Sequence, residues 1–345
     1  MSGGTTPGGG TAGPRNADTD TDTDTDADRL PLAPAATSAA DHAGLARPVP
    51  LGRRSVGTLL LISAIGAVAF GWPLLAATDS ALVGHSADAP WLFALLLPLL
   101  LAVVVAQISE GRSADGEPGM DAKSVALLGM LAAAGAALRP LGAGTAGLEP
   151  MFFLMVLSGR VLGPGFGFVL GSVSMFASAL LTGGVGPWLP FQMLSMGWVC
   201  LGAGLLPGPA TLRGRRELAL LAAYGAGSAV AYGTIMNLQG WPYIGGLSSS
   251  VSFVAGAPLG ENLPRFVAYC LTTSLGWDLP RAALTVVLCL TLGGPVLRTL
   301  RRASRRAAFG APVVFTGAPD NRNDGNDGND EDDGGPRPPG LSPPR

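Results

Sequence analysis

The sequence predicts an all-α fold, a polytopic membrane bundle of transmembrane helices. Only 13% of its 345 residues are charged, against about a quarter in soluble domains. Several apolar runs reach the length that a helix needs to cross a bilayer. Inside the most apolar stretch, Gly163, Gly167 and Gly171 recur four residues apart, a spacing that lets membrane helices approach backbone to backbone.

The two ends of the chain differ from this apolar body. Residues 1–52 and 307–345 each carry seven acidic and three basic residues. An Asp/Thr repeat fills Asp18 to Asp28, without the glycine and terminal glutamate of a calcium-binding loop. Low-complexity, self-repelling sequence cannot form a core. We therefore expect a disordered acidic tail at each end.

Residues 53–122 predict an N-terminal pair of transmembrane helices followed by a polar connector. Arg53 and Arg54 precede the first apolar run, Ser55 to Ala76, and the second is Pro90 to Gln107. Because basic residues favour the cytoplasmic side of a span, the N-terminal tail is placed in the cytoplasm.

Residues 123–306 predict the remaining spans. Met151 to Leu181 is long enough for one helix, but the positive-inside rule agrees only if it breaks at Gly163-Pro164-Gly165. The last apolar region is interpreted as one crossing, about Leu279 to Leu297, after an outer helix or re-entrant piece. The result is about eight spans in the plasma membrane, with both termini cytoplasmic. The other predicted helices are Ser124–Leu138, Met151–Leu162, Gly165–Leu181, Trp188–Leu206 and Glu217–Leu238.

The sequence argues against catalysis. It has no phosphate-binding Gly-rich loop ending in Lys, and Lys123 is its only lysine. Neither His42 nor His85 lies in a predicted span, which removes a serine–histidine hydrolase. The three cysteines have no metal-ligand spacing and predict buried thiols. We expect no enzyme, no cofactor, no metal site and no nucleic-acid partner.

Charged residues near the membrane core are the natural functional candidates. Arg139 ends the third apolar segment, and Glu149 ends the glycine-rich loop that follows it. The two side chains could grip a ligand or form a polar lid over it. A structural ion pair that ties the loop down explains them equally well.

A second group of candidates combines aromatic rings with amides at the outer ends of later helices. Trp188 and Gln192 lie one turn apart and share a face. Such groups suit a flat, polar organic ligand, although Trp and Tyr at this depth also serve as interfacial anchors. The other members of the group are Asn237, Gln239, Trp241 and Tyr243.

Other charged residues are interpreted as structural. Asp278 and Arg281 are three residues apart, which favours a local ion pair. Arg160, at the inner end of its predicted helix, is interpreted as a topology anchor.

The third segment carries small residues at helical spacing, a pattern that permits close helix packing. The packing could be internal, or it could join a separate membrane subunit. These residues are Gly129, Ala133 and Ala137 in one row, and Ala132 and Ala136 in the next.

From Lys123 to about Arg306 the chain resembles the substrate-specific (S) component of energy-coupling factor (ECF) vitamin transporters, particularly actinobacterial members. The motifs that carry the resemblance are LLGMLAAAGAALRP, GTAGLEPMFFLMVLSGRVLGPGFGFVLG, LLTGGVGPWLPFQMLSMGWVCLGAGLLPG and GWDLPRAALTVVLCLTLGGPVLRTLRRASRR. They cover just over half of the chain and select no single vitamin. Residues 53–122 then add about two helices to the six-helix core of the family.

The resemblance implies a membrane subunit that captures a vitamin or related micronutrient at its outer face. Its partners would be a transmembrane coupling (T) subunit and two cytoplasmic ABC ATPase subunits. The alanine-rich helix would contact the T subunit through Ala132, Ala133, Ala136 and Ala137. The loop Pro140 to Pro150 would cover the ligand. The alternatives are a stand-alone secondary carrier or channel for a small organic solute, or a membrane scaffold.

Overall fold

The computed structural model describes residues 53–75, 95–110, 120, 122–142, 147–207, 212–244, 247–248 and 250–306. Within these ranges all regular structure is helical. A 3-10 turn (Trp241–Tyr243) and a π-helical turn (Cys270–Ser274) accompany ten α-helices. They are α1 (Arg53–Leu75), α2 (Leu96–Glu110), α3 (Ala122–Leu141), α4 (Met151–Leu162), α5 (Pro164–Thr182), α6 (Leu189–Leu205), α7 (Arg215–Gly240), α8 (Leu259–Tyr269), α9 (Leu275–Thr291) and α10 (Gly293–Arg306).

The helices have the lengths and apolar composition of a membrane bundle. Among the described residues, four helices are long and apolar enough to cross a bilayer, namely α1, α3, α5 and α7. The bent run from α8 to α10 makes up to five, and α2, α4 and α6 are shorter apolar helices. The predicted all-α membrane class is consistent with this arrangement. Both predicted acidic tails lie outside the described residues.

The predicted break in the central apolar stretch is confirmed. Helix α4 ends at Leu162 and α5 begins at Pro164. Gly163 between them has a φ of 93°, a backbone conformation that residues other than glycine rarely adopt. Pro164 at the first turn of α5 has no N–H to leave unsatisfied, so it starts a helix well.

Glycines bring α5 and α6 into backbone contact, as their spacing predicts. A methyl group added at Gly167 would lie 2.9 Å from the carbonyl oxygen of Cys200. One added at Gly171 would lie 2.5 Å from that of Met196. The absence of side chains at these positions is therefore what allows the two helices to pack closely.

Helix α4 is the centre of the bundle. Eleven of its twelve residues are buried, and its neighbours include α3, α5, α6, α7, α9 and α10. A twelve-residue helix is short for a bilayer crossing. Since protein surrounds it, its short length leaves no backbone facing lipid.

The N-terminal helix pair packs onto the bundle. The ring of Phe70 lies 4.8 Å from that of Phe191, centroid to centroid. The Trp198 indole N–H donates to Ser63 Oγ at 2.9 Å. Ser55 and Gln107 hydrogen-bond to each other and so join α1 to α2. These two helices are thus part of the same apolar core.

The helices between Leu259 and Arg306 depart from the prediction. The helix runs from Leu259 to Thr291 through the π turn, and the direction then changes by 71° at the start of α10. At 1.5 Å per residue this run is about 50 Å long, more than the roughly 30 Å of a bilayer core. The predicted crossing from Leu279 to Leu297 is therefore wrong at its C-terminal end, because Leu297 belongs to α10.

Candidate functional site

A buried arginine organises a cluster of charged groups between α7, α9 and the loop before α4. The Arg281 Nε donates to Glu149 Oε2 at 3.0 Å, and its Nη1 donates to Asp278 Oδ1 at 2.7 Å. Ser274 Oγ donates to the other Asp278 oxygen at 2.6 Å. We call these four residues the Glu149 cluster. The predicted Asp278–Arg281 pair is present, and Glu149 joins it.

Aromatic rings surround the guanidinium of this cluster. The Cζ of Arg281 lies 5.3 Å from the ring centroid of Phe152 and 5.5 Å from that of Tyr232. The two rings meet edge to face at 5.0 Å. Cation–π attraction to two rings, in addition to two carboxylates, stabilises the charged guanidinium in a mostly apolar environment.

Small residues on α7 make room for the cluster. A methyl group added at Gly233 would lie 1.9 Å from Asp278 Oδ1, and one added at Gly225 would lie 2.6 Å from Thr285 Cγ2. The carbonyl oxygen of Ala229, midway between them, accepts from Arg281 Nη1 at 3.5 Å. The face of α7 with Gly225, Ala229 and Gly233 thus lets α9 approach with its charged side chains inward.

Arg139 and Gln192 form a neighbouring polar pair. Arg139 Nη2 donates to Gln192 Oε1 at 3.0 Å and so joins α3 to α6. The possible ion pair between Arg139 and Glu149 is not formed, because Glu149 binds Arg281 instead. Trp188 stands one turn before Gln192, half-exposed, and its indole N–H donates to the carbonyl of Gly184.

The Glu149 cluster and the Arg139–Gln192 pair lie at the same end of the bundle. Arg281 is about 16 Å along the helix from the break at Leu292, and Gln192 is about 20 Å from the C-terminal end of α6. Both helix ends lie at the other end of the bundle. The carbonyl of Leu206, directly after α6, accepts from Arg160, and α10, directly after the break, contributes Arg301 to the same charged group. Polar side chains from α3, α6, α9 and the loop therefore lie at the same end of the bundle.

The loop before α4 lies against α9. Gly147 has a φ of 86°, and a methyl group there would lie 2.2 Å from the carbonyl oxygen of Trp277. Two residues later, Glu149 reaches Arg281. The Glu149 side chain is 27% exposed, whereas that of Arg281 is 9% exposed. Glu149 is thus the member of the cluster that faces outward.

The remaining predicted ligand residues lie at the C-terminal end of α7 and in the 3-10 turn that follows it. Asn237 Nδ2 donates to Cys270 Sγ at 3.4 Å, and Gln239 is buried. Trp241 is 1% exposed, and its indole N–H donates to the Val251 carbonyl. Its ring packs among those of Phe253, Phe266 and Tyr269. Trp241 therefore belongs to an aromatic core separate from the Glu149 cluster.

A cavity of about 360 Å³ opens between α6 and α7. Tyr232 lines it and also contacts Arg281 and Phe152, so the cavity lies beside the Glu149 cluster. Its volume is at the lower end of the range for small-molecule sites. The lining residues are Ser195, Trp198, Val199, Tyr224, Gly227, Ser228, Ala231, Tyr232 and Ile235.

A second charged group occupies the opposite end of the bundle. Glu217 Oε1 accepts from Arg160 Nε at 2.9 Å and from Arg301 Nη2 at 2.6 Å. Arg160 Nη1 also donates to the Leu206 carbonyl at 3.0 Å. We call Arg160, Glu217 and Arg301 the Glu217 cluster. The interpretation of Arg160 as only a topology anchor misses this buried joint between α4, α7 and α10.

The small-residue rows of α3 divide between the core and the surface. Ala132 and Ala136 are buried on the side of α3 that packs on α5. Gly129, Ala133 and Ala137 are exposed. The sequence predicts both uses of such rows without separating them, and the structure assigns one row to internal packing.

Together these groups could hold a small polar ligand. The guanidiniums of Arg139 and Arg281 donate hydrogen bonds, the carboxylates of Glu149 and Asp278 accept them, and Gln192 does both. Among the described residues, no three His, Cys, Asp or Glu side chains come together as a metal site.

The comparisons with known proteins identify no relative. No protein-family model matches the chain, and neither the curated proteins nor the solved structures contain a match.

Proposed function

We propose that this chain is the substrate-binding membrane subunit of an ECF-type importer for a vitamin or related micronutrient. The observation that carries the proposal is the presence of two bonded polar pairs, Arg139 with Gln192 and Glu149 with Arg281, at one end of an apolar bundle. Four separate segments supply these side chains. Charged and polar residues within a membrane bundle are costly, which makes them candidates for a ligand site.

The loop before α4 gives this site a cover. It carries Glu149 and packs on α9 at Trp277. The apolar cavity beside Tyr232 supplies volume for the less polar part of a ligand. An apolar pocket with a few convergent polar groups is the usual form of a small-molecule site.

The exposed row Gly129, Ala133 and Ala137 on α3 supplies a surface for the T subunit in this proposal. Small residues permit close contact between membrane helices. Two cytoplasmic ABC ATPase subunits would provide the energy, since this chain lacks a phosphate-binding loop. The chain itself then has no catalytic role, and both termini are cytoplasmic.

Transport assays on the full chain in lipid vesicles test the proposal. Alone, it should bind a vitamin but drive no uptake against a gradient. With the T subunit and both ATPases, uptake should require ATP. Titration with riboflavin, thiamine, biotin, folate and cobalamin identifies the ligand. Uphill uptake by the chain alone would overturn the proposal.

A stand-alone secondary carrier is the alternative, and titratable side chains at both ends of the bundle favour it. Between the two clusters, however, α4 presents a wholly buried apolar stretch that includes Met155, Val156 and Leu157. A chain of titratable groups through the bundle is thus interrupted along α4. Uptake driven by a proton or sodium gradient without ATPases would identify a carrier.

A further inference from the structure

Helix α10 has one buried face and one cationic face. Leu297, Leu300 and Ser304 are buried on the side that packs against α4. Arg298 and Arg302 are exposed one turn apart, and Arg305 continues the same face, because residues three and four apart share a helix side. The protein core therefore covers the apolar face and leaves the arginines outside.

The direction of α10 suits a helix lying along a membrane surface. Its axis is bent by 71° from the long run that includes α9. If α9 crosses the bilayer, α10 runs roughly along the boundary between lipid and water. The arginines of α10 would then lie near the level of the lipid headgroups.

A second group of arginines adjoins α10. Arg301 bonds to Glu217 at 2.6 Å, which ties α10 to the beginning of α7. That helix starts with Arg215 and Arg216, both exposed. We call Arg215, Arg216, Arg298 and Arg302 the basic face.

The basic face keeps a surplus of positive charge. Among the described residues, the carboxylate that adjoins this face is Glu217, which is buried and already shared by two arginines. It therefore does not compensate Arg298 or Arg302. One carboxylate for Arg160 and Arg301 leaves one further positive charge directly beneath the surface.

We propose that the basic face binds the phosphate headgroups of anionic phospholipids. A guanidinium offers paired N–H donors that match phosphate oxygens. Each arginine near an anionic membrane surface strengthens binding about fivefold. The proposal concerns how the protein sits in its bilayer, and it stands whether or not the chain takes part in vitamin uptake.

The test uses the full chain in bilayer discs of phosphatidylcholine with a minority of phosphatidylglycerol. Native mass spectrometry measures which lipid stays bound after release from the disc. The wild type should retain phosphatidylglycerol preferentially. The double variant Arg298→Gln/Arg302→Gln should lose that preference about tenfold or more, and added salt should weaken it in the wild type.

Matched variants separate charge from folding and from other occupants. Arg298→Lys/Arg302→Lys keeps the charge and should keep most of the preference, while size-exclusion profiles should be equal for all variants. Inorganic phosphate should not compete at the lipid's concentration. An equal preference in the Gln variant would overturn the proposal. So would a preference that emerges only after Asp330, Glu331, Asp332 and Asp333 are neutralised, because the chain's own acidic segment would then occupy the face.

Discussion

The Glu149 and Glu217 clusters use the same chemical groups in opposite ways. In the Glu149 cluster one arginine is shared by two carboxylates, and Glu149 comes from a loop and is 27% exposed. In the Glu217 cluster one carboxylate is shared by two arginines, and it comes from a helix and is 2% exposed. The loop carboxylate of the first cluster is partly exposed, as the proposed ligand site requires, whereas the shared carboxylate of the second is buried.

This difference assigns the two clusters different proposed roles: the Glu149 cluster binds a ligand, and the Glu217 cluster stabilises the fold. The Glu217 carboxylate joins α4, α7 and α10, so no ligand can reach it without moving a helix. The Glu149 carboxylate comes from a loop and is partly exposed, so in the proposed site a ligand would approach Arg281 from that side. The following changes test that contrast, from the largest expected effect to the smallest.

Removing the shared carboxylate should have the largest effect on stability. In Glu217→Ala, Arg160 and Arg301 lose their common partner in a buried place. Breaking a buried pair in this way costs about 3–5 kcal/mol. The free energy of unfolding in detergent, followed by circular dichroism during denaturant titration, measures the loss.

The matched control for this change is Glu261→Ala, at an exposed position on α8. It removes the same side chain from a place where no buried charge is left behind. The control should change stability by less than about 0.5 kcal/mol. Equal losses in the two variants would mean that the Glu217 cluster is not a stabilising joint.

Filling the space beside Asp278 should disturb the Glu149 cluster on the side that faces α7. In Gly233→Ala the new methyl group would meet Asp278 Oδ1 at 1.9 Å, so the carboxylate or α9 must shift. Overpacking of this kind costs about 1–3 kcal/mol. Thermal unfolding should show the loss, and ligand affinity should fall with it. Gly276→Ala is the control, since nothing lies within 4 Å of its added methyl group. If Gly233→Ala unfolded at the same temperature as this control, the close contact with Asp278 would be contradicted.

Neutralising the loop carboxylate should affect binding more than folding. Glu149→Gln keeps the size of the side chain but removes the charge that faces Arg281. Because the pair is partly exposed, stability should change by less than about 1 kcal/mol. Affinity for the vitamin should fall about tenfold or more, since a hydrogen bond to a charged group is lost. Isothermal titration measures it against Glu261→Gln, and unchanged affinity would remove Glu149 from the site.

The comparison also shows what the sequence can predict. The break at Gly163, the close glycine packing of α5 and the Asp278–Arg281 pair follow from local spacing, and all three are present. The joint at Glu217 is missed because its two arginines come from distant segments. The sequence signal available for this joint was Glu217 itself, a charged residue at the start of a predicted apolar helix.

The partners of Arg139 and Glu149 depend on tertiary packing in the same way. Both residues are candidates from the sequence because charges near a membrane core are rare. Their bonds to Gln192 and Arg281 cross from one helix to another. Trp241 is also a reasonable candidate from its type, but its burial among three aromatic rings depends on residues about ten to thirty positions away.

The smallest effect on the protein itself is expected at a surface that belongs to neither cluster. Ala133 is exposed on α3, in the row that we propose for the T subunit. Because Ala133 is exposed among the described residues, the larger side chain of Ala133→Leu should change stability by less than about 0.5 kcal/mol and leave affinity for the proposed vitamin unchanged. Co-purification with the T subunit and the ATPases should be lost, because close helix contact needs small residues.

Ala134→Leu is the control for that surface. Ala134 is also exposed, but a helix turns by about 100° per residue, so it points to a different side. Assembly should survive in this variant. Equal loss of assembly in both variants would mean that any added bulk on α3 is harmful. If neither variant lost assembly, the T subunit would have to contact a different helix. Loss in Ala133→Leu alone, with vitamin binding intact, would separate a coupling surface on α3 from ligand capture at the Glu149 cluster.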